Sequence, residues 1–302
     1  MNSSRKFCLF YLVVAALLPA AAAAAVTESV SPVDRGPLTI AIDEYNRFGD
    51  FQLPELSAAE AADLENGGAV IRLPSDQSGD ADADVSSMGV IGFRIIEAPR
   101  LLIWLAVLGG TGERDARLTS AMITDGTAGD YIRYQHIDLP WPFHDRHWVI
   151  DSTKNTGLAI ATEGRSWQHR WVLRDDGRTL VRDAFADGRV EGLGHDVIEG
   201  SVYLPANRGS WTMFRIDDGR TLIAAHVEVD LGGRFPKSLV RRFTKSHLKA
   251  GFDTLADFSK RVHLSYGDGR TIYTGDGRPI SPAEARETAQ AWISPERIAR
   301  GD

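Results

Sequence analysis

The alternation of apolar and polar positions divides this 302-residue chain into a helix-bearing start, a long run of strands and one long amphipathic helix. Residues 26–54 hold Pro32, Pro37 and Pro54 with little periodicity and read as an extended lead-in. Ser57-Ala58-Ala59-Glu60 has capping-box spacing and Asn66-Gly67-Gly68 is a stop, so a short helix is predicted between them. Residues 70–73 read as a strand and 76–84 as a polar loop. The β-branched run 90–96 predicts a strand ended by Ala98-Pro99, and 100–108 a short apolar helix closed by Gly109-Gly110. Further strands are predicted at 118–124, 131–139, 147–152, 166–174, 179–185, 197–204, 211–216 and 222–229. Asp-Gly-Arg recurs from Asp176, Asp187, Asp218, Asp268 and Asp276, and reads as hairpin turns because Asp-Gly accepts the positive φ of tight turns.

The last strand leads into the longest helix, predicted over 236–262, with Pro236 in the first turn. Val240, Phe243, His247, Gly251, Leu255, Phe258 and Val262 follow at spacings of three and four, which places them on one face. At 1.5 Å per residue such a helix is roughly 40 Å long. Residues 263–302 predict a further hairpin and a short helix opened by Ser281-Pro282-Ala283-Glu284. Strands clustered before a terminal helix give an α+β class: a strongly bent antiparallel sheet gripping one long helix.

The N-terminus changes the picture. Arg5 and Lys6 precede an almost unbroken apolar run, 7–18, and then Pro19 and six alanines, Ala20 to Ala25. That order is the order of a secretory signal, and the run is shorter than the ~20 residues of a membrane-spanning helix. The sole cysteine, Cys8, lies inside the run and would leave with it, so the mature protein would stand without disulfides. Loss of Arg5 and Lys6 takes 34 basic residues to 32 against 41 acidic ones. An acidic chain without basic blocks argues against nucleic acid as a partner. The expected organisation is a signal at 1–25, the lead-in at 26–54, the main domain at 55–262 and a C-terminal hairpin and helix at 263–302.

Three segments carry a family resemblance. Asp138-Leu139-Pro140-Trp141-Pro142-Phe143-His144-Asp145-Arg146-His147-Trp148-Val149 resembles the START-domain segment where a strand ends at two close prolines and an Arg opens the next. Val229-Asp230-Leu231-Gly232-Gly233-Arg234-Phe235-Pro236 resembles that family's entry to its last helix, and Ile96-Glu97-Ala98-Pro99 to Trp104 its early strand-to-helix step. The resemblance spans about residues 56–262. Leu231 departs from the usual Pro, His147 from the usual acidic residue, and 154–194 is longer than the family pattern. The resemblance implies a helix-grip fold around an apolar tunnel. Many members bind or carry a lipid, and a few superfamily relatives are cyclases.

Period two puts Trp167, His169, Trp171 and Leu173 on one strand face, Arg146, Trp148 and Ile150 on another, and Trp211 with Met213 on a third. These residues either line an aromatic pocket or fill a solid core; the resemblance favours the pocket. Arg146 is the position that matches a headgroup-facing Arg in START lipid binders, and its alternative is an ion pair with Asp138 or Glu228. His247 falls on the inner face of the long helix, where a satisfied core imidazole is the other reading. His144 and His147 lack the partners a zinc site needs. Gly232-Gly233 reads as a tight turn, and no Gly-x-Ser-x-Gly elbow or catalytic triad stands out.

The expected ligand contacts are therefore Arg146, Trp148, Trp167, His169, Trp171, Trp211, Met213, Phe243 and His247, with no catalytic residue, metal or cofactor. The expected function is binding, with transfer, of a lipid or other hydrophobic molecule outside the cytoplasm, with transient membrane contact and the long helix as a lid. A cyclase or hydrolase using the same cavity, and an interaction module with a filled core, are the alternatives. Export is checked by intact-mass measurement on protein from its native cell envelope. The mature chain is expected to start near Val26; a chain still starting at Met1 overturns it.

Overall fold

The computed structural model describes residues 36–73, 84–109, 118–124, 129–190, 195–265 and 271–292. The expected signal, most of the polar loop, Gly110 and the Asp268 turn lie outside them.

The first described element corrects the sequence reading. Helix α1 (Pro37–Phe48) occupies what read as an extended lead-in. Pro37 sits in its first turn, where a missing N–H costs nothing. Leu38, Ile42 and Tyr45, spaced four and three apart, are its buried stripe. Helix α2 (Ala58–Glu65) opens on the capping box: Glu60 N–H donates to Ser57 Oγ at 3.3 Å and Ser57 N–H to Glu60 Oε2 at 2.9 Å. Strands β1 (Ala69–Arg72) and β2 (Asp84–Ile96) follow, then helix α3 (Arg100–Gly109), apolar after its first residue.

Next come β3 (Leu118–Met122), β4 (Tyr131–Ile137), β5 (Arg146–Lys154), helix α4 (Thr156–Ala161) and β6 (Ser166–Leu173). Two expected strands are helices instead. Residues 179–185 lie in α5 (Gly177–Ala186), and 197–204 is α6 (His195–Gly200) followed by the two-residue strand β7 (Val202–Tyr203). The buried positions of α5 are Gly177, Val181 and Ala184, a spacing of four and three that a strand cannot use. Asp176 is accordingly the N-cap position of α5 and Asp187 its C-cap, not hairpin turns. The turn reading holds for Asp218 and Asp276, which lie between paired strands. The extra length of 154–194 is thus α4 and α5, added outside the sheet strands.

The chain closes with β8 (Ala206–Arg215), β9 (Thr221–Pro236), α7 (Lys237–Ser259), the hairpin β10 (Ile272–Tyr273) and β11 (Pro279–Ile280), and α8 (Pro282–Trp292). Among the described residues the main sheet has nine strands, eight of them antiparallel in the order β1-β2-β9-β8-β6-β5-β4-β3, with β7 added parallel to β5. Its inner face packs on α3, α7 and the C-terminal segment, through Ile223, Ala225, Leu248, Phe252, Leu255, Ala285 and Ala289 among others. At Gly92 of β2 a Cβ would stand 2.5 Å from Leu248 Cδ2, so glycine is what lets α7 seat on the sheet. The outer face is covered too. Leu38, Ile42 and Tyr45 pack on Phe93, Ile95, Phe214 and Leu222. Gln168 beneath them donates to Tyr45 Oη and Thr212 Oγ1, both at 3.0 Å. A sheet closed on one side by a long helix is the α+β helix-grip arrangement that the resemblance implied.

If α1 holds the outer face, Ile42→Ala leaves a cavity there and lowers unfolding free energy by about 2–5 kcal/mol in a denaturant titration. A change within experimental error would show that α1 does not pack there.

Candidate functional site

Between α7 and the inner sheet face lies a cavity of about 280 Å³. Ligand pockets run from about 300 to 1,000 Å³, so this one falls just under the small end of the range and suits a modest hydrophobic molecule. Tyr131, Arg133, Gln135 and Ile137 of β4 line it, as do Trp148, Ile150 and Ser152 of β5, His169 and Trp171 of β6 and Asn207 and Trp211 of β8. Thr244, His247, Leu248 and Gly251 of α7 close it. Leu139, Pro140 and Phe143 reach it from the loop before β5, whose neighbouring Trp141 is 92% exposed.

The tryptophans of this wall are anchored by amides. Trp148 Nε1 donates to Gln135 Oε1 at 3.0 Å and Trp171 Nε1 to Asn207 Oδ1 at 2.9 Å. Each partner sits on an adjoining or nearby strand, so the indole plane is fixed while its apolar surface stays free to meet a ligand. His169 Nε2 lies 3.3 Å from the Gly129 carbonyl, and since a carbonyl only accepts, Nε2 carries the proton. Burial, and then the positive charge of Arg133, push His169 down to about 4, so the ring is neutral at physiological pH.

Of the expected ligand contacts, Trp148, His169, Trp171, Trp211 and His247 line the cavity. The side chain of Phe243 is outside the described residues. Trp167 and Met213 share the inner face but belong to the solid core beside the cavity. Trp167 is covered there by Arg100, whose Cζ is 3.9 Å from the ring centroid, and by Trp104 at 5.7 Å. The C-terminal hairpin completes the cover: Trp104 Nε1 donates to the Tyr273 carbonyl at 2.8 Å, and a Cβ on Gly275 would stand 2.3 Å from Trp167. The buried stripe of α7 is also rotated from the expected one. Thr244, Leu248, Phe252 and Ser259 join Val240 and Leu255, while Phe258 is half-buried.

Arg146 is corrected most sharply. It is buried, but it does not line the cavity. Its guanidinium donates to four backbone carbonyls: Leu231, His144, Gly232 at 3.1 Å and Asp145 at 3.3 Å. Its Cζ lies 5.2 Å from the Phe235 ring centroid. Gly232 (φ +66°) and Gly233 (φ +86°) turn this stretch of β9, and Asp230 Oδ1 accepts from Gly232 N–H at 2.8 Å. Neither Asp138 nor Glu228 is its partner. The residue that sequence reasoning missed is Arg133, buried and lining the cavity; its place two residues before Gln135 on an alternating strand was the available signal.

His147 packs edge-on to Tyr203 and lies opposite His136 across β4 and β5, while His144 is exposed, so the two do not converge. His136 stands between Asp138, 3.5 Å from Nδ1, and Asp145, 3.7 Å from Nε2. The ring's hydrogen-bond partner is Ser201 Oγ, 3.1 Å from Nε2, and the His136, Asp138 and Asp145 ligand atoms lie within 4.8 Å of one another.

No family model matches this sequence, and no curated protein matches it. Solved structures do resemble it. A STAR-related lipid transfer protein from Xanthomonas axonopodis is 14% identical over 70% of this chain and 98% of its own, with a TM-score of 0.46. Human STARD10 is 10% identical over 72% of this chain and 84% of its own, at 0.45. The Zhui aromatase/cyclase from a Streptomyces species is 12% identical over 58% of this chain and 94% of its own, at 0.39.

Arg146→Met is expected to lower stability by about 2–4 kcal/mol, because hydrogen bonds from a charged group are worth about 1.5–3 kcal/mol and the guanidinium makes four of them. The folded fraction should bind an apolar probe as wild type does. A stable variant with weakened binding, measured by thermal melts with and without probe, would return Arg146 to the cavity.

Proposed function

We propose that this protein binds a hydrophobic small molecule in the cavity beneath α7 and carries it outside the cytoplasm. The observation that supports this most is the wall itself. Trp148, Trp171 and Trp211 expose apolar surface to the cavity while the N–H groups of Trp148 and Trp171 are satisfied by Gln135 and Asn207. An ordinary core would fill such a space, since voids beside large side chains forfeit dispersion contacts. Burial of ligand surface at ~25 cal/mol per Å2 supplies the affinity. Among the described residues, the lining includes no carboxylate and no cysteine, so proton transfer there would fall to His169, His247 or Tyr131. Non-covalent carriage uses all of the wall and asks none of these groups to react. Export rests on the signal-like N-terminus alone.

Gly251 is the residue of α7 with room to spare above the cavity: a Cβ there meets only Trp211, at 3.9 Å. Gly251→Leu should fill the cavity and abolish uptake of the neutral dye N-phenylnaphthylamine. Gly251→Ala should keep uptake and gain about 1 kcal/mol of stability from helix propensity. Unchanged dye binding in a folded Gly251→Leu protein would place the binding site elsewhere.

A further inference from the structure

Arg133 is a buried cation for which the fold supplies no full counter-charge. It is 8% exposed and lines the cavity on β4. A guanidinium has five N–H donors. Nε reaches Met122 Sδ at 3.4 Å, a weak acceptor, and one Nη2 hydrogen reaches the Leu108 carbonyl at 3.3 Å. The rest find no acceptor among the described residues, and none of these offers Arg133 a carboxylate within salt-bridge distance. The Tyr131 ring lies 4.6 Å from its Cζ, which stabilises a cation without neutralising it. Leu108 is in the last turn of α3, so its carbonyl carries the negative end of a helix dipole. That end is worth roughly half an elementary charge, which stabilises the guanidinium without neutralising it.

The surroundings do not make up the difference. Across the strand pair, Arg133 faces Ile150, and the next cavity residue along β4 is Gln135, whose Oε1 is taken by Trp148. His169 is neutral, with its one ring proton spent on Gly129. Arg146, by contrast, is surrounded by four carbonyls. An unpaired cation at the wall of an apolar cavity is costly unless an anion from outside completes it.

We propose that the cargo is a single-chain or compact amphiphile whose anionic head, a carboxylate or a phosphate, is held by Arg133. This rests on the cavity being a binding site, and it narrows the cargo. The volume of about 280 Å³ suits one chain better than a two-chain phospholipid held whole. The planar fork of an Arg fits either head in two-point contact.

The test is displacement of N-phenylnaphthylamine by dodecanoate, dodecyl phosphate and dodecanol, from wild type, Arg133→Gln and Arg133→Lys. In wild type, one of the two anions is expected to bind about tenfold or more tighter than the alcohol. The tighter anion names the head. Arg133→Gln should bind the alcohol as wild type does and bring the ratio close to one, and Arg133→Lys should keep part of the preference. Circular dichroism checks that each variant folds; should Arg133→Gln not fold, the wild-type ratio and Arg133→Lys still decide. A wild-type ratio near one, or a preference that persists in folded Arg133→Gln, overturns the role of Arg133 and leaves the cavity intact. Failure of all three compounds to displace the dye from wild type overturns the binding site itself.

Discussion

The buried guanidinium of Arg146 fixes the geometry on which the rest depends. A charge that deep must be solvated by the protein, and the carbonyls that solvate it belong to two distant parts of the chain. His144 and Asp145 precede β5; Leu231 and Gly232 lie near the end of β9, just before α7 begins. Holding them together sets where the long helix departs from the sheet, and so how far it stands from the wall below. Two glycines at positive φ make the carbonyls available, and Gly92 lets the helix settle against β2 farther along. The helix is thus pinned at both ends of a span whose middle is left unfilled.

That middle stays open because its walls are stiff. Gln135 and Asn207 hold the Trp148 and Trp171 indoles by their N–H groups, and the Trp211 ring is braced edge-on by Phe252 at 5.8 Å. The outer face of the same strands is loaded by α1, with the Tyr45–Gln168–Thr212 hydrogen bonds beneath it. A sheet supported from behind resists collapse into the space in front. Two arginines in one fold then show two uses of a buried charge. Arg146 is fully engaged by backbone and is structural; Arg133 is half-engaged and faces the cavity.

Much of this was legible in the sequence where periodicity and capping spoke plainly. The α2 capping box, the inner face of β6, the run of antiparallel strands and the long helix all follow from local pattern. The misreadings have physical causes. Prolines hid α1, although Leu38, Ile42 and Tyr45 stand at helical spacing. Asp-Gly at Asp176 and Asp187 suggested hairpins, yet the same dipeptide serves at helix ends, so α5 was taken for a strand. Parity put Trp167 on the correct face but gave no sign that the C-terminal hairpin would cover it. Arg146 was sought in the cavity because its strand face points that way; its partners are backbone carbonyls 85 and 86 residues away, which no side-chain pattern announces.

The most direct test is a crystal structure with a long-chain carboxylate brominated at its terminal carbon. Anomalous scattering locates the bromine without reference to the protein phases. The account predicts one bromine peak enclosed among Trp171, Trp211 and α7, with the chain running from it through the cavity. Bromine found only on the molecular surface, with the space beneath α7 filled by protein side chains, would contradict it.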